Sequence, residues 1–444
     1  MAFPQHGLAT IWTPPPPRRV HWGQAVVAAG AGALVGAFTA GMARHFVQPD
    51  KSIREPLEVP YAVEDEQFVR TMGQLLPPAI VPGNRVTPLI NGKEIFPAML
   101  AAIRSAKRTI TMETFIYWSG MIGDEFTHAL VERARAGVRC HVLLDWLGSN
   151  KIDPRSPEMM RRAGIQVDRF HRHWWRLPRL NNRTHRKLLV VDGRIGFTGG
   201  VGIADEWLGD AEDPCHWRDN HYRIEGPVVA QLQCAFTDNW LKSQHVVLHD
   251  EGYFPRLDPV GDLSCQVFQS SPDEGSESMR LMYLLAISAA RKSVRISTAY
   301  FVPDDLSIET LVRARRRGVA VDIIVPGPHI DVQIVQHASR ARWGDLLRAG
   351  IRIHEYQPTM YHTKAMMVDD LWTSIGSTNF DNRSFRLNDE ANLNIYDHAF
   401  ALQQAEWFER DKTRAREMTL DRWENRPAPQ KAVDEAADVV SSQL

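Results

Sequence analysis

Cysteine is scarce in this chain. There are four in 444 residues, at Cys140, Cys215, Cys234 and Cys265, and no two of them form a C-x-x-C or any other short spacing. That excludes a cysteine-based zinc site and a disulfide framework, and reads them as buried thiols. Charge of one sign is also lacking: the net charge is −1, with an ordinary 44% hydrophobic and 24% charged residues. No global basic field exists to hold a nucleic acid, so any anion site must be local. Short-period repeats of the solenoid kind are absent. The length allows a large core and predicts two or three domains.

Long apolar runs are few, and the one near the start stands out. After an irregular tail with the proline run Pro14 to Pro17 and then Arg18 and Arg19, residues 25–43 carry no charge and are rich in Ala, Gly and Val. Their 19 residues approach the ~20 that a membrane span needs. Gly32-x-x-x-Gly36 would let two such helices approach closely. A membrane anchor is the expected reading. A cleaved signal fits less well, because the run exceeds the usual ~7–15 residues and no A-x-A site follows. The balanced flanking positive charges fix no orientation.

From about residue 90 the pattern becomes globular. Asn91 and Gly92 open a helical stretch with Ile95, Met99, Leu100, Ile103 and Ala106 on one face. Strand-like alternation follows from Thr109 to Tyr117, then a helix over roughly 124–136 that ends at Gly137, then a buried strand from Val138 to Asp145. The same order returns: a helix at about 278–290, a strand at 294–297, a helix at about 306–317 ending at Gly318, and a strand over 319–325. Alternating strands and helices predict α/β layers, and the repeated order predicts a duplicated domain. Between Ile165 and His185 the first copy carries extra residues dense in arginine and aromatics (169–179), suited to phosphates and a lipid interface or to a plain surface loop.

One constellation occurs twice. His185-x-Lys187, four residues, Asp192, six residues and Gly199-Gly200 are matched 177 residues later by His362-x-Lys364, Asp369 and Gly376-Ser377. On a strand, alternation would place each His and Lys on one side. Two such strands would gather two imidazoles and two ammoniums in one small volume. Lysines neutralise a phosphate and the oxygens that gain charge in the transition state. One neutral imidazole can attack phosphorus while the other, protonated, gives its proton to the leaving alkoxide. That division of labour needs different proton affinities, hence a carboxylate for each. Asp219 and Glu390 are the candidates, because each follows its own motif histidine by a similar distance, 34 and 28 residues. A zinc reading of His185, His362, Asp192 and Asp369 is set aside: a lysine beside each histidine repels a cation, and no H-E-x-x-H is present.

These residues resemble the paired HKD motifs of the phospholipase D superfamily. The second copy is the fuller one, continuing through Asn379, Asp381, Arg383, Ser384, Asn388 and Glu390. Stretches such as 113–117, 199–207, 217–219 and 300–304 are most similar to bacterial cardiolipin synthases. The resemblance implies two duplicated α/β/α domains in a pseudo-twofold arrangement with the active site between them, preceded here by the N-terminal membrane helix. It divides the chain into a tail (1–24), a membrane helix (25–43), a linker (44–89), a first domain (90–250), a second (251–405) and a C-terminal helix and tail (406–444). The tail is expected to be a frayed helix or disordered from about Pro427.

The resemblance also implies metal-independent transfer through a phosphohistidine, with no cofactor. His185 would be the nucleophile, His362 the acid and then the base. Lys187, Lys364 and Asn379 would hold phosphate oxygens, with Ser377, Arg383 and Gly200 beside the substrate. Asp192 and Asp369 belong to the motif but are expected to support the strand and lysine geometry. Gly202 stands where the second copy has Asn379, so the halves are not equivalent in detail. The expected reaction joins two phosphatidylglycerols into cardiolipin at a bacterial inner membrane. Rival readings are a hydrolytic phospholipase D, a phosphatidylserine synthase, a phosphodiester nuclease and an inactive membrane scaffold. Nothing in the sequence names a protein partner.

Overall fold

A computed structural model describes residues 53–170, 182–272, 277–439 and 441. The tail, the apolar run 25–43 and most of the basic aromatic stretch lie outside them. Among the described residues no helix is long and apolar enough to cross a membrane.

The first half contributes β1 (Val81–Ile90), β2 (Thr109–Thr114), β3 (Arg139–Asp145), β4 (Gln166–Phe170), β5 (Arg183–Thr184), β6 (Leu188–Val191), β7 (Ile195–Gly199) and β8 (Asn220–Glu225). The second contributes β9 (Leu263–Ser270), β10 (Ser293–Ser297), β11 (Phe301–Val302), β12 (Ala320–Pro326), β13 (Arg352–Tyr356), β14 (Ala365–Val368), β15 (Trp372–Gly376), β16 (Phe380–Asp381), β17 (Asn388–Tyr396) and β18 (Ala415–Met418). Among the described residues 16 of these strands join in one sheet, ordered β18-β13-β12-β10-β14-β15-β17-β9-β1-β8-β7-β6-β2-β3-β4, with β5 beside β17.

The order reads the same outward from the β9/β1 junction, apart from the extra edge strand β18. In each half three strands are parallel (β2, β3, β4 and β10, β12, β13), as expected where helices make the crossovers. The motif hairpins β6/β7 and β14/β15 then add antiparallel strands that lead to the junction. The helices Met121–Arg135 and Asp305–Arg316 end at equivalent glycines, Gly137 and Gly318, whose φ of +92° and +93° lies in the left-handed region that L side chains avoid.

Each half has its own core between sheet and helices. A third cluster joins them: Leu188, Val190, Leu232, Phe236 and Trp240 from the first half meet Val267, Ile324, Met367, Ile375 and Leu393 from the second. Burying each such large aliphatic or Phe side chain contributes about 1.5–3 kcal/mol, so the junction is a core in its own right. The helix expected from Asn91 runs over Asn91–Ser105, and its predicted apolar face is buried.

Several expectations are corrected. Residues 44–89 are not a plain linker, because they include the helix Glu66–Leu75 and β1, which fills the sheet junction. The division at 405/406 falls inside the helix His398–Thr413. Of the frayed helix or disorder expected after Pro427, the segment takes the helical alternative, Ala428–Asp438. Its Asp434 accepts from His337 at 2.7 Å and from Arg426 at 2.7 Å, which ties it down. Two of the four cysteines, Cys215 and Cys234, are exposed, while Cys140 and Cys265 are buried as expected.

Candidate active site

Each His-x-Lys lies just before its strand rather than on it: β6 starts at Leu188 and β14 at Ala365. The chain there is held by the other half. The His185 amide donates to the Asp389 carbonyl at 2.9 Å, and the His362 amide donates to the Arg218 carbonyl at 2.8 Å. Each lysine folds back onto its own histidine's carbonyl, and the residue between them is buried as well. In the first copy that residue is Arg186, fully buried, donating to the carbonyls of Ala235 (2.7 Å), Ser270 (3.1 Å) and Glu390 (3.3 Å).

The carboxylates exchange partners relative to the sequence expectation. His185 Nδ1 lies 2.9 and 3.1 Å from the two oxygens of Glu390, and His362 Nδ1 lies 2.8 Å from Asp219 Oδ2. Each histidine is thus oriented by the carboxylate of the opposite half. The strand registers explain it. Glu390 and Asp219 sit at the starts of the equivalent strands β17 and β8, whose chains run past the other half's motif.

With each Nδ1 engaged by a carboxylate, the proton on that nitrogen is fixed and Nε2 carries the ring's lone pair. Burial, seconded by the nearby lysines, pushes His185 down to about 4 and His362 to about 3, against the pull of the carboxylates, so both imidazoles are neutral at pH 7. Burial opposes ionisation of Glu390 and Asp219 too, but the facing histidines and lysines overrule it and hold both below the usual carboxylate range. Burial and mutual repulsion lower Lys187 to about 7, and burial lowers Lys364 to about 8. Lys187 Nζ donates to the His185 carbonyl at 2.8 Å. Lys364 Nζ donates to the His362 carbonyl at 2.6 Å and lies 3.0 and 3.2 Å from that ring's two nitrogens. The two ammoniums repel one another in this buried volume and are offset by the Asp219 and Glu390 carboxylates.

The other expected residues fall on the same volume or away from it. Ser377 donates to Glu390 Oε2 at 2.5 Å. Gly200 is its counterpart, and a Cβ there would stand 2.2 Å from Asp219 Oδ1, so only glycine leaves the carboxylate its place. Asn379 is buried with its side-chain oxygen unpartnered. Arg383, on the short helix Asn382–Arg386, is near enough to Arg183 for their charges to interact.

Asp192 and Asp369 do not join the site. They sit at the far ends of β6 and β14, in left-handed turns with φ of +53°. Asp192 accepts from the amides of Lys107, Arg108 and Thr109, and Asp369 from those of Arg291, Lys292 and Ser293. They tie the hairpins to the starts of β2 and β10.

The motif does not name several residues that shape the site. Trp207 and Trp217 flank the His362 ring at 5.1 and 5.5 Å between ring centres, and Trp207 Nε1 donates to Asp219 Oδ2 at 2.9 Å. Phe115 flanks His185 at 5.2 Å. Behind His185, Glu113, raised to about 7 chiefly by burial, accepts from Thr184 and from Asn239. The tryptophans lie in stretches that carried the family resemblance, which was their signal. Glu113 likewise lies in the 113–117 stretch that carried the resemblance, near the end of the strand Thr109–Thr114, whose other polar residues are threonines.

Comparison with known proteins agrees with this geometry. A family profile described as "Cardiolipin synthase, PLD-like domain" matches residues 99–240 and 283–412, one segment in each half. The cardiolipin synthase A of Pseudomonas putida is 36% identical over 364 residues, covering 81% of this chain and 75% of that protein. That of Pseudomonas syringae pv. syringae is 37% identical over 358 residues, covering 79% and 73%. A crystal structure of a phosphatidylserine synthase from Haemophilus influenzae superposes with a TM-score of 0.65 at 16% identity, covering 86% of this chain and 100% of that one, a likeness of fold. On the duplicated fold, the paired motifs and these matches, the chain belongs to the phospholipase D-like family of cardiolipin synthases.

Proposed function

We propose that the chain is a phosphatidyltransferase that joins two phosphatidylglycerols into cardiolipin and releases glycerol. The observation that carries the reading is the crossed arrangement, in which two neutral imidazoles, each held by the other half's carboxylate, share one buried volume with two lysines.

The phosphodiester anion enters between the ammoniums of Lys187 and Lys364 and offsets their charge. That lets His362 take up a proton. His185 Nε2 attacks phosphorus, the bond from phosphorus to the glycerol oxygen breaks, and His362 Nε2 gives its proton to that oxygen. Glycerol leaves a phosphatidyl group on His185. A hydroxyl of the second phosphatidylglycerol then gives its proton to His362 and attacks phosphorus, which frees His185 and completes cardiolipin. Lys364 Nζ lies within 3.2 Å of both ring nitrogens of His362, whereas Lys187 sits on the His185 carbonyl, a difference that supports unequal roles for the two imidazoles. Asn379 is buried with its side-chain oxygen unpartnered, and its Nδ2 offers an N–H to a phosphate oxygen. Residues 25–43 hold the enzyme at the membrane in this reading.

Product analysis by mass spectrometry on phosphatidylglycerol vesicles, without added metal, tests it. Cardiolipin with free glycerol, lost in His185→Ala and in His362→Ala, is the expected result. Phosphatidic acid alone would make the chain a hydrolase.

A further inference from the structure

At the other end of the second half's sheet from Lys364 lies a recess of about 530 Å³ lined by Leu57, Val59, Arg291, Arg313, Arg316 and Arg317, with Ser288, Glu58 and Glu309 completing it. Its place follows from register. Ala365, next to Lys364, pairs with Ser297 at one end of β10, whereas Arg291 precedes Ser293 at the other. The recess is therefore no part of the catalytic volume.

Four arginines face two glutamates here, and Glu309 is taken by Arg313, whose Nη2 donates to it at 2.7 Å. Arg291 and Arg317 converge on the end of the helix Ser278–Ala289. Arg317 Nη2 donates to the carbonyls of Ile287 (3.2 Å) and Ser288 (3.1 Å), and Arg291 Nη1 to those of Ser288, Ala289 and Ala290. Arg291 Nη2 also reaches the carbonyls of Val59 (3.1 Å) and Tyr61 (2.8 Å), which fixes the wall that carries Leu57 and Val59.

Closing a helix end accounts for part of this, since the last carbonyls of a helix attract cations. It does not account for two guanidiniums crowding one spot. Burial and then the charge of Arg291 hold Arg317 below its usual value. Arg316, exposed beside Arg317 at the rim, adds a further cation to the recess. Guanidinium forks suit phosphate oxygens, and the apolar Leu57 and Val59 suit the hydrocarbon beside a lipid phosphate rather than a freely hydrated ion.

We propose that this recess binds a phosphate-bearing anion, specifically the headgroup of an anionic phospholipid, at a site separate from catalysis. It would hold the domain against a charged lipid surface whether or not the lipid is being turned over. The inference does not depend on the reaction proposed above.

Hydrogen exchange of the full chain in neutral detergent, with and without phosphatidylglycerol, reads the site directly. Slower exchange in residues 57–61 and 313–317 is expected. It should be lost in the Arg316→Ala, Arg317→Ala double variant, whose turnover of short-chain phosphatidylglycerol stays unchanged, and return with lysine at both positions. Equal protection by inorganic phosphate at the same concentration would overturn the lipid source in favour of a free phosphate compound. No protection by either, or protection that survives in the alanine variant, would overturn the site.

Discussion

His185 and His362 occupy equivalent places in a duplicated fold, yet their surroundings differ. His185 lies beside one phenylalanine, and its partner Glu390 is held by the Ser377 hydroxyl. His362 is boxed by two tryptophans, and its partner Asp219 is held by an indole N–H and by the Asn220 amide at 2.8 Å, with glycine in place of the serine. Lys364 lies against the His362 ring, whereas Lys187 donates to the His185 carbonyl and sits 5.7 Å from the centre of the Phe115 ring. Duplication supplies the symmetry that crosses the carboxylates, and divergence around each imidazole then lets one act as nucleophile and the other as acid and base.

The sharpest test of that division is removal of either imidazole. His185→Ala and His362→Ala should both abolish turnover, but only His362→Ala should accumulate a covalent phosphatidyl adduct, visible by intact-protein mass spectrometry. An adduct in the His185→Ala variant instead would reverse the roles. General acid–base assistance is worth about 10²–10⁴-fold, so the His362 variant should retain a slow first step that the His185 variant lacks.

Next in size come the crossed carboxylates. Asp219→Asn should lower kcat by about 10²–10⁴-fold, as expected when an imidazole loses the group that fixes its tautomer. It should perturb the ring resonances of His362, in the other half, while leaving those of His185 in place. Glu390→Gln should do the converse. A pattern in which each variant disturbs its own half's histidine would break the crossing.

That crossing marks the limit of what the sequence made legible. Paired motifs at one spacing carry the duplication, the α/β class and the six chemical groups, because those follow from local periodicity and from residue type. Which carboxylate meets which histidine is set by where β8 and β17 run relative to the opposite half, a non-local property that spacing does not encode. The same limit explains β1, whose Pro82, Gly83 and Pro88 hide a strand that is completed only by pairing with β8 and β9. It also explains Asp192 and Asp369, whose amide partners lie 76 to 85 residues away in sequence.

The small residues sharpen the comparison further, because exchanging them should not be reciprocal. Gly200→Ser would drive a Cβ into Asp219 and displace it, so activity should fall nearly as far as in Asp219→Asn. Ser377→Gly removes one hydrogen bond to a charged carboxylate, worth about 1.5–3 kcal/mol, and should cost about 10–100-fold in kcat/KM with the fold intact. Equal losses from the two exchanges would contradict the asymmetry.

The pH dependence is milder. Lys187 and Lys364 must be charged to hold the phosphate, and burial lowers them to about 7 and 8, so kcat/KM should decline as pH rises through that range. Lys187→Arg should carry the decline upward, since guanidinium stays charged. Stability moves with the histidines in the opposite sense. Their folded values of about 4 and 3 lie below the ~6.5 of an unfolded chain. Their contribution is therefore whole above about pH 6.5 and is lost as pH falls through those values, which thermal melts across that range would register.

The smallest effect on chemistry should come from the two motif aspartates, although they stand in step with the histidines and lysines. Asp192 and Asp369 each satisfy three consecutive backbone amides at the start of a parallel strand, and each occupies a left-handed turn that aspartate and asparagine tolerate better than most residues. Replacement by alanine leaves those amides to find water and places a less suited residue at positive φ. Each such group left unsatisfied costs about 1–3 kcal/mol, so Asp192→Ala and Asp369→Ala should melt several degrees lower. At temperatures where they stay folded, their kcat should remain near that of the parent, because neither carboxylate hydrogen-bonds to an imidazole or an ammonium of the site. Comparing melting temperature with kcat for each variant separates the two roles: a large loss of kcat with an unchanged melt would return these aspartates to the reacting groups, and the two halves would then share eight such groups rather than six.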